Sequence, residues 1–361
     1  MFFLSHFMTL IGVTDCFFVE DLKSGNSAMR KYIDIGANML DDMYSGMYNG
    51  KTYHAADPDA VLQRAAARGV ERLIVTAGSV QETADALSFC TSRSGRTDIP
   101  ELYSSAGVHP TRCTGLSSAD VSVLAGHVAK SGRHVGGPIA AVGELGIDHD
   151  RLHFCAADAQ AAGFEAQLRG IAAEAGGECG GCIPLPLFLH LRGDEAASTT
   201  FFDILQRTRG LWSARGGVVH SFTGTADDVK RILEFGLSIS VNGVSFRTAE
   251  NIEVSTLIPE DRFMVETDAP WCDIRPTHPS YALLTAARDR LKKEANGVEP
   301  ADLATPQTCR KDKFKEGFAV KGRNEPGTIA DVLLVAAEAR HADPTVLAEF
   351  AYQNTMKMFF P

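Results

Sequence analysis

Short apolar runs alternate along the chain with longer segments of helical periodicity. Eight of the runs are rich in β-branched residues and mostly lack apolar–polar alternation, so each predicts a strand that is buried on both faces. They lie at residues 32–36, 72–76, 102–107, 139–144, 186–190, 217–220, 237–242 and 262–268. Residues 59–68 and 226–235 have helical patterns, and each pattern ends at a glycine, Gly69 or Gly236, which favours helix termination.

The spacing of the strands predicts the fold. Their starts are 20 to 47 residues apart, which suits repeated strand–helix units joined by short loops. Eight such units predict an α/β protein with the (β/α)8 TIM-barrel architecture. An open, doubly wound parallel sheet is the alternative, but no Gly-x-Gly-x-x-Gly follows the first strand to support it.

The domain organisation that we predict is one barrel over residues 31–361, preceded by an extension over residues 1–30. The extension has no Lys or Arg before Lys23, so it fits neither a secretory signal nor a mitochondrial presequence well. We expect a disordered or weak targeting segment. Polar, glycine-containing segments near 176–183 and 292–307 are interpreted as insertions. The first holds Cys179-x-x-Cys182, which lacks the second pair of a zinc ribbon and predicts two loop thiols.

Composition narrows the class of protein. The chain has 361 residues, of which 45% are hydrophobic and 22% charged, a balance that excludes a disordered or collagen-like chain. Its apolar runs are far shorter than the roughly 20 residues of a membrane span, so we expect no membrane contact. Eight scattered cysteines indicate reduced thiols and an intracellular setting. Cytoplasm or nucleus is favoured, and a mitochondrial location stays open because of the extension.

Charge alone does not point to nucleic acid. Asp and Glu outnumber Lys and Arg by 45 to 35, which gives a net charge of −10. Phosphate contacts need clustered cations, although a local basic patch or a bound metal could supply them. Such a cluster follows the eighth predicted strand, where it is either a solvated loop or a track for DNA. It contains Arg310, Lys311, Lys313, Lys315, Lys321 and Arg323.

Candidate chemistry stands at the ends of the predicted strands. The carboxyl ends of barrel strands meet at one end of the barrel, called the mouth below, where barrel enzymes place their active sites. The side chains in these positions are Asp34, Asn38, His109, Arg112, Glu144, His190, Arg192, His220 and Asp268. Carboxylates and imidazoles together suit Zn, Mn or Fe, and Mg when carboxylates and water dominate. The pattern predicts metal-activated water that attacks a carbonyl or phosphoryl centre.

Simpler interpretations exist for each residue alone. A single histidine at a strand end is more often structural than ligating, and Asp268 before Ala-Pro could cap a helix. Glu144, His190, His220 and Asp268 stand at four separate strand ends, which favours a shared site.

Seven ordered motifs resemble the TatD-related metal-dependent deoxyribonucleases, and most closely a eukaryotic branch of that family. The likeness covers residues 31–361 apart from the two insertions. The motifs are Tyr-Ile-Asp-Ile-Gly-Ala-Asn at 32–38, Gly-Val-His-Pro-Thr-Arg at 107–112, Val-Gly-Glu-Leu-Gly-Ile-Asp at 142–148, Phe-Leu-His-Leu-Arg at 188–192, His-Ser-Phe-Thr-Gly at 220–224, Glu-Thr-Asp-Ala-Pro-Trp at 266–271 and Arg-Asn-Glu-Pro at 323–326.

The resemblance implies an amidohydrolase-type barrel that hydrolyses DNA phosphodiesters with one or two divalent metal ions. It implies that Glu144 bridges or ligates the metals, and that His190 and His220 are ligands of the second metal. Asp268 is implied as the ligand that orients the nucleophilic water and acts as general base. Mg or Mn is favoured and Zn stays possible.

The first motif departs from the pattern of many bacterial relatives. They carry His-x-His at the end of strand one, where this chain has Gly36 and Asn38. The first metal site is therefore expected to be looser and better suited to Mg. Asp34, Asn38 and Glu325 are carried over only as possible supporting residues. His109, Arg112 and Arg192 are the candidate substrate contacts, with arginine suited to phosphate.

Three functions remain open on the sequence. The first is a deoxyribonuclease, acting as an exonuclease on single-stranded or frayed DNA ends. The second is a metal-dependent hydrolase of a small amide, ester or lactone, since this barrel hosts many reactions. The third is a non-catalytic barrel. Basic residues at the mouth favour the first, and the four strand-end residues argue against the third. The oligomeric state is open, and a monomer is compatible with the sequence.

Overall fold

The structure is a computed structural model that describes residues 29–176 and 181–361. Most of the predicted N-terminal extension, residues 1–28, lies outside the described residues. Residues 177–180 of the predicted first insertion, with Cys179, also lie outside them.

Eight parallel strands form one sheet in sequence order, which confirms the predicted (β/α)8 barrel. They are β1 (Tyr32–Ala37), β2 (Val70–Val75), β3 (Glu101–Ala106), β4 (Ile139–Asp148), β5 (Leu187–Arg192), β6 (Gly217–His220), β7 (Ser238–Val241) and β8 (Phe263–Val265). The chain after β8 closes the barrel onto β1. Asp268 N donates to Gly36 O at 2.8 Å, and Asn38 N donates to Ala269 O at 2.7 Å. These bonds give a closed barrel rather than the open sheet that was the alternative.

Helices cover the outside of the barrel. They are α1 (Pro58–Ala67), α2 (Val80–Thr91), α3 (Ser118–Ser131), α4 (Ala157–Ala175), α5 (Glu195–Arg207), α6 (Arg209–Trp212), α7 (Ala226–Glu234), α8 (Ala249–Ser255), α9 (Ser280–Glu294), α10 (Ile329–Ala339) and α11 (Pro344–Phe359). Two pairs of two-residue strands lie outside the barrel, Met47–Tyr48 with Lys51–Thr52 and Thr308–Cys309 with Ala319–Val320. None of the helices in the described ranges is long and apolar enough to cross a membrane.

Local signals set the helix ends. The predicted helices at 59–68 and 226–235 are α1 and α7, displaced by no more than a residue at each end. Gly69 follows α1 with φ of 89°, a left-handed conformation that glycine adopts without a steric cost. Thr225 and Asp228 form a reciprocal capping box at the start of α7, which satisfies backbone N–H groups that the helix leaves free.

The interior of the barrel is filled by apolar side chains from every strand except β7. They form one buried cluster, Ile33, Ile35, Ile74, Tyr103, Ala140, Ala141, Phe188, Val218 and Met264, which also includes Phe359 and Phe360 at the end of α11. A larger apolar cluster lies between the strands and the helices. The polar site at the mouth therefore stands on a packed base, and α11 contributes two aromatic rings to that base.

The predicted second insertion, residues 292–307, packs against the start of the barrel. Asp302 is 2% exposed. Its Oδ2 accepts hydrogen bonds from Arg30 Nε and Tyr32 OH, both at 2.7 Å. Arg68 Nε donates to the Asp302 carbonyl oxygen at 2.8 Å. The segment is thus tied by buried polar contacts to the residues that begin β1 and end α1.

We expect Phe359→Ala to destabilise the protein by about 3–5 kcal/mol, because it removes a large ring that is 1% exposed from the barrel interior. Phe350→Ala is the matched control, since Phe350 lies in the same helix but is 38% exposed. Denaturant unfolding followed by circular dichroism measures both. Equal losses of stability in the two variants would contradict the assigned role of Phe359.

Candidate metal centre

Glu144 is the centre of a buried polar cluster at the mouth. Its Oε1 lies 2.7 Å from Nδ1 of His190 and 2.7 Å from Nε2 of His220. Adjacent strands bring these groups together, since Glu144 lies in β4, His190 in β5 and His220 at the end of β6. The Cα register pairs His190 with His220 directly. The three side chains offer ligand atoms within 4.8 Å of one another, a spacing that could hold one cation.

A second group of three shares His190. His109, Asp148 and His190 also offer ligand atoms within 4.8 Å of one another. Nε2 of His109 lies 3.3 Å from Glu144 Oε1, and Nε2 of His190 lies 3.3 Å from Asp148 Oδ2. The two groups therefore form one continuous set of imidazole and carboxylate ligands, a set that suits Zn or Mn and, with added water, Mg.

Two buried atoms in this set fit a bound cation. Among the described residues, Nε2 of His190 and Oδ1 of Asp148 are buried without a hydrogen-bond partner of acceptable geometry. Leaving such atoms unpaired costs about 1–3 kcal/mol each. A divalent cation or its bound water would satisfy both, so the residues present fit a metal ion.

The cluster shifts the pKa values of its members. Burial opposes the charge of Glu144, but His220 and His109 hold the pKa of the Glu144 carboxyl well below its usual value. Burial likewise disfavours the His220 imidazolium, but Glu144 and Glu266 raise the pKa of His220 well above its usual value. Burial lowers the pKa of His109. The neighbouring opposite charges in the cluster therefore favour the charged forms of both Glu144 and His220.

Glu266 holds His220 from behind. It is fully buried, and its Oε1 lies 3.3 Å from Nδ1 of His220. Ser221 N donates to the same oxygen at 2.7 Å, and Ser240 Oγ donates to Oε2 at 2.7 Å. Asn242 Nδ2 adds a bond to Oε1 at 3.1 Å. A carboxylate on the far ring nitrogen fixes the orientation of a ligating histidine and leaves Nε2 facing Glu144.

Asp268 lies at the edge of the cluster and belongs to neither group of three. Asn38 Nδ2 donates to Asp268 Oδ1 at 2.8 Å, and the Cys272 thiol donates to Oδ2 at 3.1 Å. Thr76 Oγ1 donates to Asn38 Oδ1 at 2.8 Å, which fixes the orientation of the amide. Burial raises the pKa of Asp268, and Glu266 and Glu144 add to the effect, against the opposing charge of His220.

Asp34 is a buried support for the turn that carries Asp268. Its Oδ1 accepts from Thr267 N at 3.0 Å, and its Oδ2 lies 2.5 Å from Thr267 Oγ1. Burial raises the pKa of Asp34 to about 8, against hydrogen bonds from Thr267 and Gly36. Asp34 therefore fixes the backbone and hydroxyl of Thr267, the residue before Asp268.

The structure explains the departure at Gly36 and Asn38. A Cβ placed on Gly36 would lie 3.1 Å from Glu266 Oε2 and 3.1 Å from Phe188 Cζ. Side chains behind the site thus occupy the space that a histidine at position 36 would need. The side-chain amide of Asn38 donates to Asp268 and accepts from Thr76. The end of β1 therefore orients Asp268.

The three predicted substrate contacts differ in their exposure and in their distance from the ligand cluster. Arg112 pairs with Glu82, and its side chain is 50% exposed. Arg192 Nε donates to Asp150 Oδ2 at 2.8 Å, with 38% of the side chain exposed. His109 lies within the ligand set itself. The two arginines are therefore accessible at the mouth, while His109 faces Glu144.

Glu325 is not brought to the ligand cluster. Its carboxylate accepts from Arg64 at 2.8 and 2.9 Å and from Arg323 at 3.0 Å. Arg323 also donates to both oxygens of Asp57 at 2.6 Å, and its side chain is fully buried. The interpretation of Arg323 as part of an exposed basic cluster is wrong, because two carboxylates hold it inside the fold.

Asp148 and Glu266 belong to the site, but the sequence predicts no role for either, although both lie in the family motifs. A signal for them was present. Successive side chains of an extended chain alternate between faces, so Asp148 shares a face with Glu144 four residues earlier. Glu266 precedes Asp268 by two residues, but Asp268 has a positive φ of 51° and lies beyond the end of β8, so only closeness in sequence points to Glu266. A search for acidic residues two or four positions from each predicted ligand would have found both.

Comparison with known proteins agrees with this geometry. The family model described as TatD related DNase matches residues 33–360. The chain belongs to this family. It is 35% identical over 333 residues to the Schizosaccharomyces pombe protein named Deoxyribonuclease Tat-D, covering 91% of this chain and 95% of that protein. The eukaryotic resemblance drawn from the motifs is confirmed.

Two further matches support the family assignment. The Erwinia billingiae protein named 3'-5' ssDNA/RNA exonuclease TatD is 34% identical over 253 residues, which is 68% of this chain and 83% of that protein. The crystal structure of an uncharacterized amidohydrolase from Saccharomyces cerevisiae has a TM-score of 0.78 and 31% identity. The match covers 91% of this chain and the whole of the yeast chain. The structural match therefore extends over the described barrel.

We expect the affinity for Mn2+ to rise with pH through the neutral range, because protons compete with the cation for the imidazoles. A cation must displace the proton from His220, whose pKa Glu144 and Glu266 raise despite burial. Each proton released makes the dissociation constant fall by up to about tenfold per pH unit below that pKa. Isothermal titration calorimetry in buffers of different ionisation enthalpy measures both the affinity and the proton release.

His220→Ala should abolish tight Mn2+ binding, while His127→Ala is the control because His127 lies in α3, away from the cluster. Affinity that is independent of pH, or equal in the two variants, would contradict a metal centre built on His220.

Proposed function

We propose that the protein is a divalent-metal-dependent deoxyribonuclease that hydrolyses DNA phosphodiester bonds, acting as an exonuclease on single-stranded or frayed ends. The observation that carries the proposal is the buried set of Glu144, His190 and His220 at the mouth of a TatD-family barrel. The names of the Schizosaccharomyces and Erwinia relatives, a deoxyribonuclease and a 3'-5' single-strand exonuclease, support the substrate class.

Glu144, His190, His220 and Asp268 would hold one or two divalent ions, with His109 and Asp148 completing the ligand set. A bound Mg2+ or Mn2+ would lower the pKa of water and offset the charge of the phosphodiester. Carboxylates and water suit these two ions, and the three imidazoles keep Zn2+ possible.

Asp268 is proposed as the general base that accepts a proton from the attacking water. Burial raises the pKa of its carboxyl above the usual value, against the charge of His220, and a carboxylate within hydrogen-bond reach of the water can accept its proton. Asn38 and Cys272 each donate to one of its oxygens, so the carboxylate has a fixed orientation. Glu266 supports the chemistry indirectly by holding His220.

Arg112 and Arg192 are proposed to bind the phosphates of the substrate. Both are paired with carboxylates at present, Glu82 and Asp150, but the side chains are half exposed. Exposed ion pairs contribute only about 0–1 kcal/mol, so a phosphate can replace the carboxylate at little cost. A neutral amide, ester or lactone would need no such cations, which is why the small-molecule hydrolase remains the weaker alternative.

Incubation with end-labelled DNA tests the proposal. We expect metal-dependent shortening of single strands in Mg2+ or Mn2+ and none in EDTA, with duplex DNA cut more slowly. Label at the 5' end should give a ladder of shortened products if digestion starts from the 3' end. Glu144→Ala should lower the rate by more than about 100-fold, because it removes the carboxylate shared by both histidines.

Glu234→Ala is the matched control, since Glu234 is exposed in the last turn of α7. Absence of cleavage with any metal, from folded protein shown to bind that metal, would reject the nuclease and favour a small-molecule substrate. Equal cleavage by Glu144→Ala and the wild type would assign the activity to a contaminant.

A separate prediction concerns the orientation of Asp268. Asn38→Ala removes the 2.8 Å bond to Asp268 Oδ1, and such supporting contacts are worth about 10- to 100-fold in activity. We expect that loss in kcat with little change in KM, because the substrate contacts remain. Steady-state kinetics on a short oligonucleotide measure the split. A change confined to KM would contradict a positioning role.

A further inference from the structure

A cavity of about 650 Å3 lies between the loop that follows β1 and the segment around Arg310 and Lys321. Its lining includes two aromatic residues, Tyr48 and Trp271, and three cations, Arg310, Lys311 and Lys321. The volume falls within the range of ordinary small-molecule sites, about 300–1,000 Å3. No role in metal binding or proton transfer has been assigned to this cavity, called the side groove below.

The side groove adjoins the metal centre through short backbone links. Trp271 N donates to Asp268 O at 3.0 Å. Trp271 therefore lies one backbone turn after Asp268, the proposed general base. On the other wall, Asp41 N donates to Asn38 O at 3.0 Å, and Asn38 contacts the Asp268 carboxylate. A DNA strand bound at the metal centre would therefore place its neighbouring nucleotide at the side groove.

Trp271 is an exposed aromatic platform with a fixed base. More than half of the residue, 52%, is exposed, although tryptophan is a residue that folding normally covers. Its backbone is fixed, because Asn324 Nδ2 donates to Trp271 O at 2.7 Å and to Thr267 O at 3.1 Å. Burial raises the pKa of Asp41, against hydrogen bonds from Met43 N and the Trp271 side chain. The backbone of Trp271 is therefore fixed, while more than half of the residue stays accessible.

Cations and acids share the walls of the side groove. Lys311 Nζ lies 4.7 Å from the Tyr48 ring centre and 4.6 Å from that of Tyr53, so two aromatic rings hold its ammonium group. Lys321 is exposed. Arg310 donates to both oxygens of the neighbouring Asp312, at 2.9 and 2.8 Å.

Asp41 and Asp42 complete the acidic lining. With Asp312 they match the three cations in number, so the side groove is a mosaic and not a uniformly basic track. A duplex, which presents a continuous line of phosphates, fits such a mosaic poorly. A single strand fits it better, because flat bases alternate with phosphates, and bases stack on exposed aromatic rings.

We propose that the side groove binds one nucleotide of a single strand next to the bond that is cleaved, with its base on Trp271 and its phosphate near Lys321 and Lys311. The inference rests on the proposed nuclease function and adds a subsite to it. Trp271 is then a specificity-determining residue that selects unpaired bases, because a paired base cannot present its face to the ring.

Binding of a fluorescein-labelled oligothymidylate in EDTA, followed by anisotropy, tests the subsite without cleavage. We expect Trp271→Ala to raise Kd about 5- to 100-fold, and Trp271→Phe to keep most of the affinity. Phe350→Ala is the control, since Phe350 is an exposed aromatic residue in α11. Lys321→Gln should reduce the slope of log K against log salt by about 0.7, the value for one phosphate contact with a single strand. Lys293→Gln, an exposed lysine in α9, should leave the slope unchanged.

A series of oligonucleotides with one abasic position each separates stacking from general damage. For the wild type, one position near the end should weaken binding when its base is removed. For Trp271→Ala, the loss at that position should disappear, a result that a merely structural role for Trp271 would not produce.

Unchanged affinity in Trp271→Ala, or no position at which base removal matters, would overturn the subsite. Equal dependence of duplex binding on Trp271 would overturn it as well. The nuclease proposal is judged separately by cleavage in Mg2+ or Mn2+. Cleavage by the wild type together with a negative binding result rejects the side groove alone.

Discussion

One buried carboxylate organises the mouth of the barrel. Glu144 Oε1 lies 2.7 Å from both His190 and His220, on two neighbouring strands. A charged carboxylate in a dry site is strongly destabilising unless opposite charge or hydrogen bonds accompany it. The imidazoles supply that compensation while the site holds no cation. The same three groups would serve as ligands for a cation that replaced the shared protons, so one geometry suits both roles.

The residues behind the cluster keep it in place. Glu266 fixes His220 through its far nitrogen and takes three further hydrogen bonds from the chain around β6 and β7. Asp34 fixes the Thr267 backbone and hydroxyl. Asp268 directly follows Glu266 and Thr267 in sequence, and its own backbone N–H takes part in the bonds that close the barrel onto β1. The position of the proposed general base is therefore determined by barrel closure as much as by its own contacts.

Most of the barrel and its central ligands could be predicted from the sequence because their causes are local. Strands buried on both faces leave continuous apolar runs, and the polar residue that ends such a run must face the mouth. Glu144, His190 and His220 follow from that rule, and the structure places them together. Arg323 does not follow from it. Its partner Asp57 lies 266 positions earlier, so only the tertiary fold shows that this arginine is internal.

Asp148 and Glu266 could be predicted from the sequence only in part. The direction of Asp148 could be predicted from strand periodicity, because it lies in β4 four residues after Glu144. Glu266 lies just beyond the end of β8 and is found only by its closeness to Asp268 in sequence. Their partners could not be predicted, because His190 and His220 come from other strands. The exposure of Trp271 was equally hidden, since it depends on how the segment around Arg310 lies against the loop after β1.

The aromatic base of the barrel has a consequence for how the chain reaches its native state. Ile33 in β1 and Phe359 in α11 belong to the same buried cluster, although almost the whole chain separates them. Contacts of such long range form late and slow folding. A chain that has formed its strands but not yet docked α11 would expose the apolar end of the barrel opposite the mouth, a surface prone to aggregation. Docking of the last helix therefore covers the apolar end of the barrel opposite the mouth.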